Sequence, residues 1–158
     1  MRFFLFLAIL LVTPATNAAE GCILAMNGSW SLNPAKSLDP TSLAYEVLIF
    51  SNTASEQRYL MKFENSPNDR GSLEWSVPCD GQDHPSPDFP WSTAPNATVA
   101  IKNLGEKSEF VVQKEDGQLT MTYTRVLADN DQTMISVGRD ANNKVCLLYT
   151  SPSPRDRG

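Results

Sequence analysis

Apolar and polar residues alternate with a period of two along most of this chain, and no segment keeps the 3.6-residue spacing of an amphipathic helix. The alternation predicts strands over Gly28–Leu32, Leu43–Phe50, Gln57–Glu64, Ser72–Val77, Thr98–Lys102, Glu109–Lys114, Gln118–Leu127 and Thr133–Arg139. The pattern is clearest in Gln118–Leu127, where Leu119, Met121 and Tyr123 fall on one face and Thr120, Thr122 and Thr124 on the other. Turn-forming residues separate the runs at Ser51–Ser55, Ser66–Gly71, Glu115–Gly117, Ala128–Asp131 and Ala141–Asn143. Asp116-Gly117 between two alternating runs predicts a tight hairpin, because both residues tolerate positive φ. Pro34–Ser37 has room for a single helical turn.

Cys79–Asn96 breaks the pattern. It is polar, carries Pro85, Pro87, Pro90 and Pro95, and includes His84, Phe89 and Trp91. A loop of that length is uncommon in a compact domain and often serves as a lid or binding loop. It divides the strands into two sets, but no second core is on offer, so the pattern predicts one meander in one domain. Many sequential antiparallel strands in a short chain favour a closed up-and-down β-barrel, since closure removes exposed edges. A two-sheet β-sandwich is the alternative.

The two ends stand apart from this pattern. Arg2 followed by the apolar run Phe3–Val12, then Pro14 and the small residues Thr16 and Ala18, reads as a signal peptide over 1–18 cut after Ala18, with a cut after Ala19 nearly equivalent. The run falls short of the about 20 residues needed to span a bilayer, which weighs against an uncleaved anchor. A lipoprotein reading with Cys22 acylated is weaker, because Glu20 sits where such signals carry small residues. At the other end, residues 146–156 read CLLYTSPSPRD, which resembles one reading frame of a transposon-end sequencing adapter. Residues 146–158 are therefore set aside as an adapter-derived tail. The domain is expected to occupy 19–145 and to continue past Val145 with one more strand. A native short strand at Leu147–Thr150 is the alternative.

Composition narrows the function. The chain has 158 residues, 13 basic and 18 acidic, for a net charge of -5, and it turns more acidic once the two ends are removed. Lys and Arg form no run, so neither a nucleic acid nor an anionic membrane surface is the expected partner. Of the 3 cysteines, only Cys22 and Cys79 belong to the domain. An even pair in an oxidising, exported compartment suggests one disulfide joining the N-terminal arm to the middle of the chain. The sequence alone does not show that the two come within reach. A cysteine nucleophile is the rival reading, but no Cys/His motif surrounds either position.

Catalytic signatures are missing from the sequence: it has no Gly-x-Ser-x-Gly, His-Glu-x-x-His, phosphate loop or Cys-x-x-Cys. His84 lies near Asp80, Asp83 and Asp88, but a lone loop histidine reads more simply as a surface residue than as a ligand or base, so no metal and no cofactor are expected. The carboxylates are scattered over positions read as outward-facing.

The most specific stretch is Gly28-Ser29-Trp30 followed by Ser31-Leu32-Asn33-Pro34-Ala35-Lys36-Ser37. It resembles the G-[ST]-W-x-L-N-x-A-K-S opening of a group of small exported bacterial proteins that are lipocalin-like and largely uncharacterised. The resemblance continues at Asp80-Gly81-Gln82-Asp83-His84-Pro85, where the group tends to have DGKDYP. It appears again at Tyr123-Thr124-Arg125-Val126 and in the Asp-rich turn before Met134. It covers most of Asn27–Lys144 and implies a lipocalin-like barrel without importing a ligand. In lipocalins a late-strand Arg stacks on the Trp of the G-x-W motif, a place that Arg125 would take here, for a cation–π contact worth about 0.5–2 kcal/mol.

The aromatic residues Trp30, Tyr45, Tyr59, Phe63, Trp75 and Tyr123 recur at alternating strand positions, with Trp91 in the long loop. Inward-facing rings in a small barrel either fill it or leave room for one small ligand. The functional expectation is a periplasmic or secreted protein whose interior binds a small apolar or amphipathic ligand through these residues and Arg125. A barrel enzyme acting on a small hydrophobic substrate, and a structural or interaction module of the cell envelope, stand as alternatives; oligomeric state is left open.

Overall fold

Backbone pairing turns the alternating segments into two antiparallel sheets in a computed structural model that describes residues 21–33, 45–66, 69–86, 96–128 and 131–152. The side chains of 45, 46, 63–66, 69, 70 and 146–152 are outside that description, as are the expected signal peptide, the expected turn at 34–37, Phe89 and Trp91. The first sheet has the order β1 (Gly28–Ser31), β2 (Tyr45–Phe50), β3 (Glu56–Ser66) and β4 (Asp69–Pro78). The second runs β10 (Val145–Pro152), β9 (Thr133–Asp140), β8 (Gln118–Leu127), β7 (Ser108–Glu115), β6 (Thr98–Gly105) and β5 (His84–Pro85). Neighbours in each sheet are neighbours in sequence, as a meander requires. Among the described residues no helix is long and apolar enough to cross a membrane.

The all-β antiparallel expectation holds, but among the described residues the strands do not close into a barrel. The strands form two separate sheets, and the two-sheet sandwich describes them at least as well. The sheets approach one another at both margins, β4 beside β6 and β1 beside β10, and among the described residues they share no ladder. The chemistry of the β4–β6 crossover accounts for one break. The edge of β6 is taken by β5, whose His84 and Pro85 lie opposite Val99 and Thr98. Proline has no N–H to offer a further strand, so this short partner blunts the edge instead of extending the sheet.

Several strands run further than the alternation suggests. β3 and β4 continue through most of the expected Ser66–Gly71 turn, pairing as far as Ser66 opposite Asp69. The sequence there (Ser66-Pro67-Asn68-Asp69-Arg70-Gly71) is polar throughout, so it offers no alternation from which to read a strand. The Asp116-Gly117 hairpin is as the sequence predicts: both residues have positive φ, 49° and 76°, and Glu115 pairs directly with Gln118. Leu119 departs from its expected face, being 41% exposed. A register shift between Gln113 and Lys114 separates it from the regular ladder that carries Met121 and Tyr123. β10 runs along β9 and includes positions set aside as adapter-like. An open row of N–H and C=O groups accepts any β-prone segment, so this pairing has no bearing on that segment's origin.

The core lies between the sheets. Trp30, Leu48, Phe50 and Met61 of the first sheet meet Leu127 and Met134 of the second, and Val77 meets Val99, Ile101 and Val111. One end of this space is sealed by an N-terminal arm that the alternation does not reveal. A 3-10 turn at Leu24–Met26 buries Met26, and Ile23 before it is buried too. The indole N–H of Trp30 donates to the Met26 carbonyl at 2.9 Å. Asn52 is buried in the β2–β3 turn. Its amide donates to the Ile23 carbonyl at 2.9 Å, and its backbone N–H donates to the Asn27 side chain. Asn103 donates to the Gly21 carbonyl. Cys22 and Cys79 are joined in a disulfide with a Cα–Cα distance of 5.2 Å, which pins the arm to the end of β4.

Candidate functional site

The ladder places the inward residues in rows. In the first sheet Phe50, Tyr59 and Trp75 stand side by side, as do Trp30, Leu48, Met61 and Leu73. In the second, Asn103, Glu109, Arg125 and Ser136 form one row, and Ile101, Val111, Tyr123 and Gly138 form the next. The two faces meet around a buried polar group. Arg125 donates from Nη1 to Oε1 of Glu109 at 2.6 Å, and Gln57 reaches across from β3 to donate from Nε2 to the other carboxylate oxygen at 2.8 Å. Glu109 is wholly buried, and Gln57 and Arg125 nearly so. Both oxygens of the carboxylate are thus engaged, which is the condition under which a buried charge is tolerated.

An aromatic enclosure surrounds this pair. The Arg125 guanidinium carbon lies 5.5 Å from the ring centroid of Phe50, 5.7 Å from Tyr59 and 5.8 Å from Tyr123. Such contacts strengthen when the cation is desolvated, as it is here. Tyr59 stacks on Phe50 with centroids 5.3 Å apart and meets Trp75 edge-on at 3.7 Å. Burial pushes the Tyr59 phenol above its ordinary value; Arg125 offsets part of that rise and Glu109 adds to it. Tyr59 therefore stays neutral at physiological pH. Trp75 and Tyr123 pack against both halves of the core. With Tyr59, Leu73 and Met121 they are only half-buried, although they share faces with residues that are fully enclosed.

The structure brings together four of the residues singled out from the sequence: Tyr59, Trp75, Tyr123 and Arg125. Trp30 belongs instead to the closed packing against the N-terminal arm, 1% exposed, with its N–H satisfied by the Met26 carbonyl. The rings that Arg125 faces are those of Phe50, Tyr59 and Tyr123. Tyr45 and Phe63 are cross-strand partners on β2 and β3, their side chains outside the description, and Trp91 lies outside it altogether.

Three contributors escaped the sequence reading: Phe50, Gln57 and Glu109. Glu109 corrects the reading of the carboxylates as uniformly outward. Its segment, Glu109-Phe110-Val111-Val112, has apolar residues at both parities, so alternation cannot tell which face is inside. The usable signal was that Glu109 shares its parity with Val111 on a strand next to the one carrying Arg125.

His84 sits on β5, not in an open loop, with Nε2 3.0 Å from Asp80 Oδ1. The Asp80 carboxyl is held below its ordinary value, first by the Gln82 backbone N–H at 2.8 Å and then by His84. Lys114 pairs with Asp83 at 2.7 Å. Among the described residues no three His, Cys, Asp or Glu side chains gather as metal ligands would, and Asp88 lies outside the description. No known protein family and no curated protein matches this chain.

Proposed function

We propose that this is an exported protein that holds a small apolar or amphipathic molecule between its two sheets. One observation carries the reading: Tyr59, Trp75 and Tyr123, with Leu73 and Met121, face the inter-sheet space yet are only half-buried, beyond a floor formed by the Glu109–Arg125 pair and a plug that closes the other end. Rings of this kind offer a large apolar face with a polar edge, the usual lining of a small-molecule site. The lipocalin-like reading rests on the Gly28–Ser37, Asp80–Pro85 and Tyr123–Val126 stretches of the sequence, and a meander of antiparallel strands is compatible with it. Export rests on the Arg2, Phe3–Val12 and Ala18 pattern, and the Cys22–Cys79 bond fits an oxidising compartment.

The test is native mass spectrometry of the purified full chain, paired with titration of the uncharged fluorescent dye phenylnaphthylamine. Binding is expected to enhance dye emission and quench tryptophan. Trp75→Ala is expected to weaken dye binding by about tenfold, the loss of one aromatic wall. Preparations that carry no ligand and leave the dye unbound would remove this reading.

A further inference from the structure

Beyond binding as such, and resting on that reading, we infer that the interior selects uncharged ligands and rejects both carboxylates and cations. The reason lies in how the buried Glu109–Arg125 ion pair is closed. Among the described residues, Glu109 and Arg125 are the only buried charged side chains, and each cancels the other at 2.6 Å. An anionic headgroup entering this space finds a guanidinium already held by a carboxylate and faced by Phe50, Tyr59 and Tyr123, with 8% of its side chain exposed. To engage Arg125 beside Glu109 would leave two negative charges sharing one positive charge in a desolvated region. A cationic headgroup fares no better. Glu109 is wholly enclosed and its charge is already compensated, with Arg125 on Oε1 and Gln57 on Oε2. The rings that would attract a cation already face one of their own. An uncharged molecule meets neither penalty. Glu109 is on this account a specificity residue: it acts by cancelling Arg125, without needing to touch the ligand. Selection of this kind works by penalising the wrong partner.

Displacement of bound phenylnaphthylamine by three amphiphiles with the same chain tests this directly: dodecanol, dodecanoate and dodecyltrimethylammonium, at neutral pH and below their micellar concentrations. The inference expects dodecanol to displace the dye at concentrations at least about tenfold below either charged analogue, because only the charged headgroups carry a desolvation cost that nothing in the interior repays. In Glu109→Gln, which keeps the side-chain size and leaves the Arg125 charge uncompensated, the ratio between dodecanol and dodecanoate is expected to fall by at least about tenfold, with the ammonium compound still excluded. Dodecanoate displacing the dye from the native protein as well as dodecanol does would overturn the inference while leaving the binding reading intact. Failure of the dye and of all three amphiphiles to bind would remove the binding reading itself. Should Glu109→Gln not fold, the comparison on the native protein decides alone.

Discussion

Arg125 is held by two kinds of contact that respond differently to mutation. Its ion pair with Glu109 is buried, and removing one partner leaves the other charge uncompensated. Arg125→Met is therefore expected to lower the unfolding free energy by about 3–5 kcal/mol. Adding Glu109→Leu should recover much of that loss, because two well-packed apolar residues do not carry a desolvation penalty. Urea unfolding followed by tryptophan fluorescence measures both, and additive losses in the double variant would contradict this account. Tyr59 supplies a pH dependence of definite sign. Its pKa is raised on folding, so its contribution to stability is complete below the unfolded value of 10.0 and is lost as pH rises through the higher folded value. Alkaline unfolding should accordingly shift to higher pH in Tyr59→Phe, monitored by circular dichroism. An unchanged alkaline midpoint would mean that Tyr59 ionises as freely folded as unfolded.

At the scale of elements, the N-terminal arm converts a pair of sheets into a space closed at one end. Gly21 adopts φ +96°, and a Cβ there would collide with the Ala54 carbonyl oxygen, so the arm takes a route there that only glycine takes easily. Cys22 follows, donating its N–H to the same Ala54 carbonyl and bonding to Cys79 57 residues on. A cross-link over that separation removes enough chain entropy from the unfolded state to be worth about 4 kcal/mol in the loop-entropy treatment. The Cys22→Ser/Cys79→Ser variant is expected to lose about 2–4 kcal/mol in denaturant unfolding. It should also show faster hydrogen exchange in the arm than in β7 and β8. Uniform acceleration across all strands would argue that the bond does not act locally. The arm was hidden from sequence reading because Leu24–Met26 is too short to show a period; its burial depends on a tryptophan and an asparagine from other elements.

For the whole molecule, strand identity was largely legible and closure was not. Gln118–Leu127 shows its alternation because Met121, Tyr123, Arg125 and Leu127 share the inner face while threonines occupy much of the other. Glu109–Lys114 shows that it is a strand but conceals its inner side, since Phe110 and Val112 oppose Val111. The site was legible in part for the same reason. Tyr59, Trp75, Tyr123 and Arg125 were visible as aromatic or cationic residues at alternating positions, whereas Gln57 and Glu109 look like any surface polar pair until Arg125 is brought between the sheets.

The sequence by itself determined the antiparallel strands, their meander order and the Asp116-Gly117 hairpin, because period-two alternation and positive-φ turn residues are local properties of the chain. It also marked the two cysteines that join. Only the tertiary structure decided that the strands divide into two sheets, that the arm seals one end, and that Glu109 faces inward to neutralise Arg125. Those outcomes depend on which distant residues meet, and a buried charge is tolerable only where its partner has already been placed.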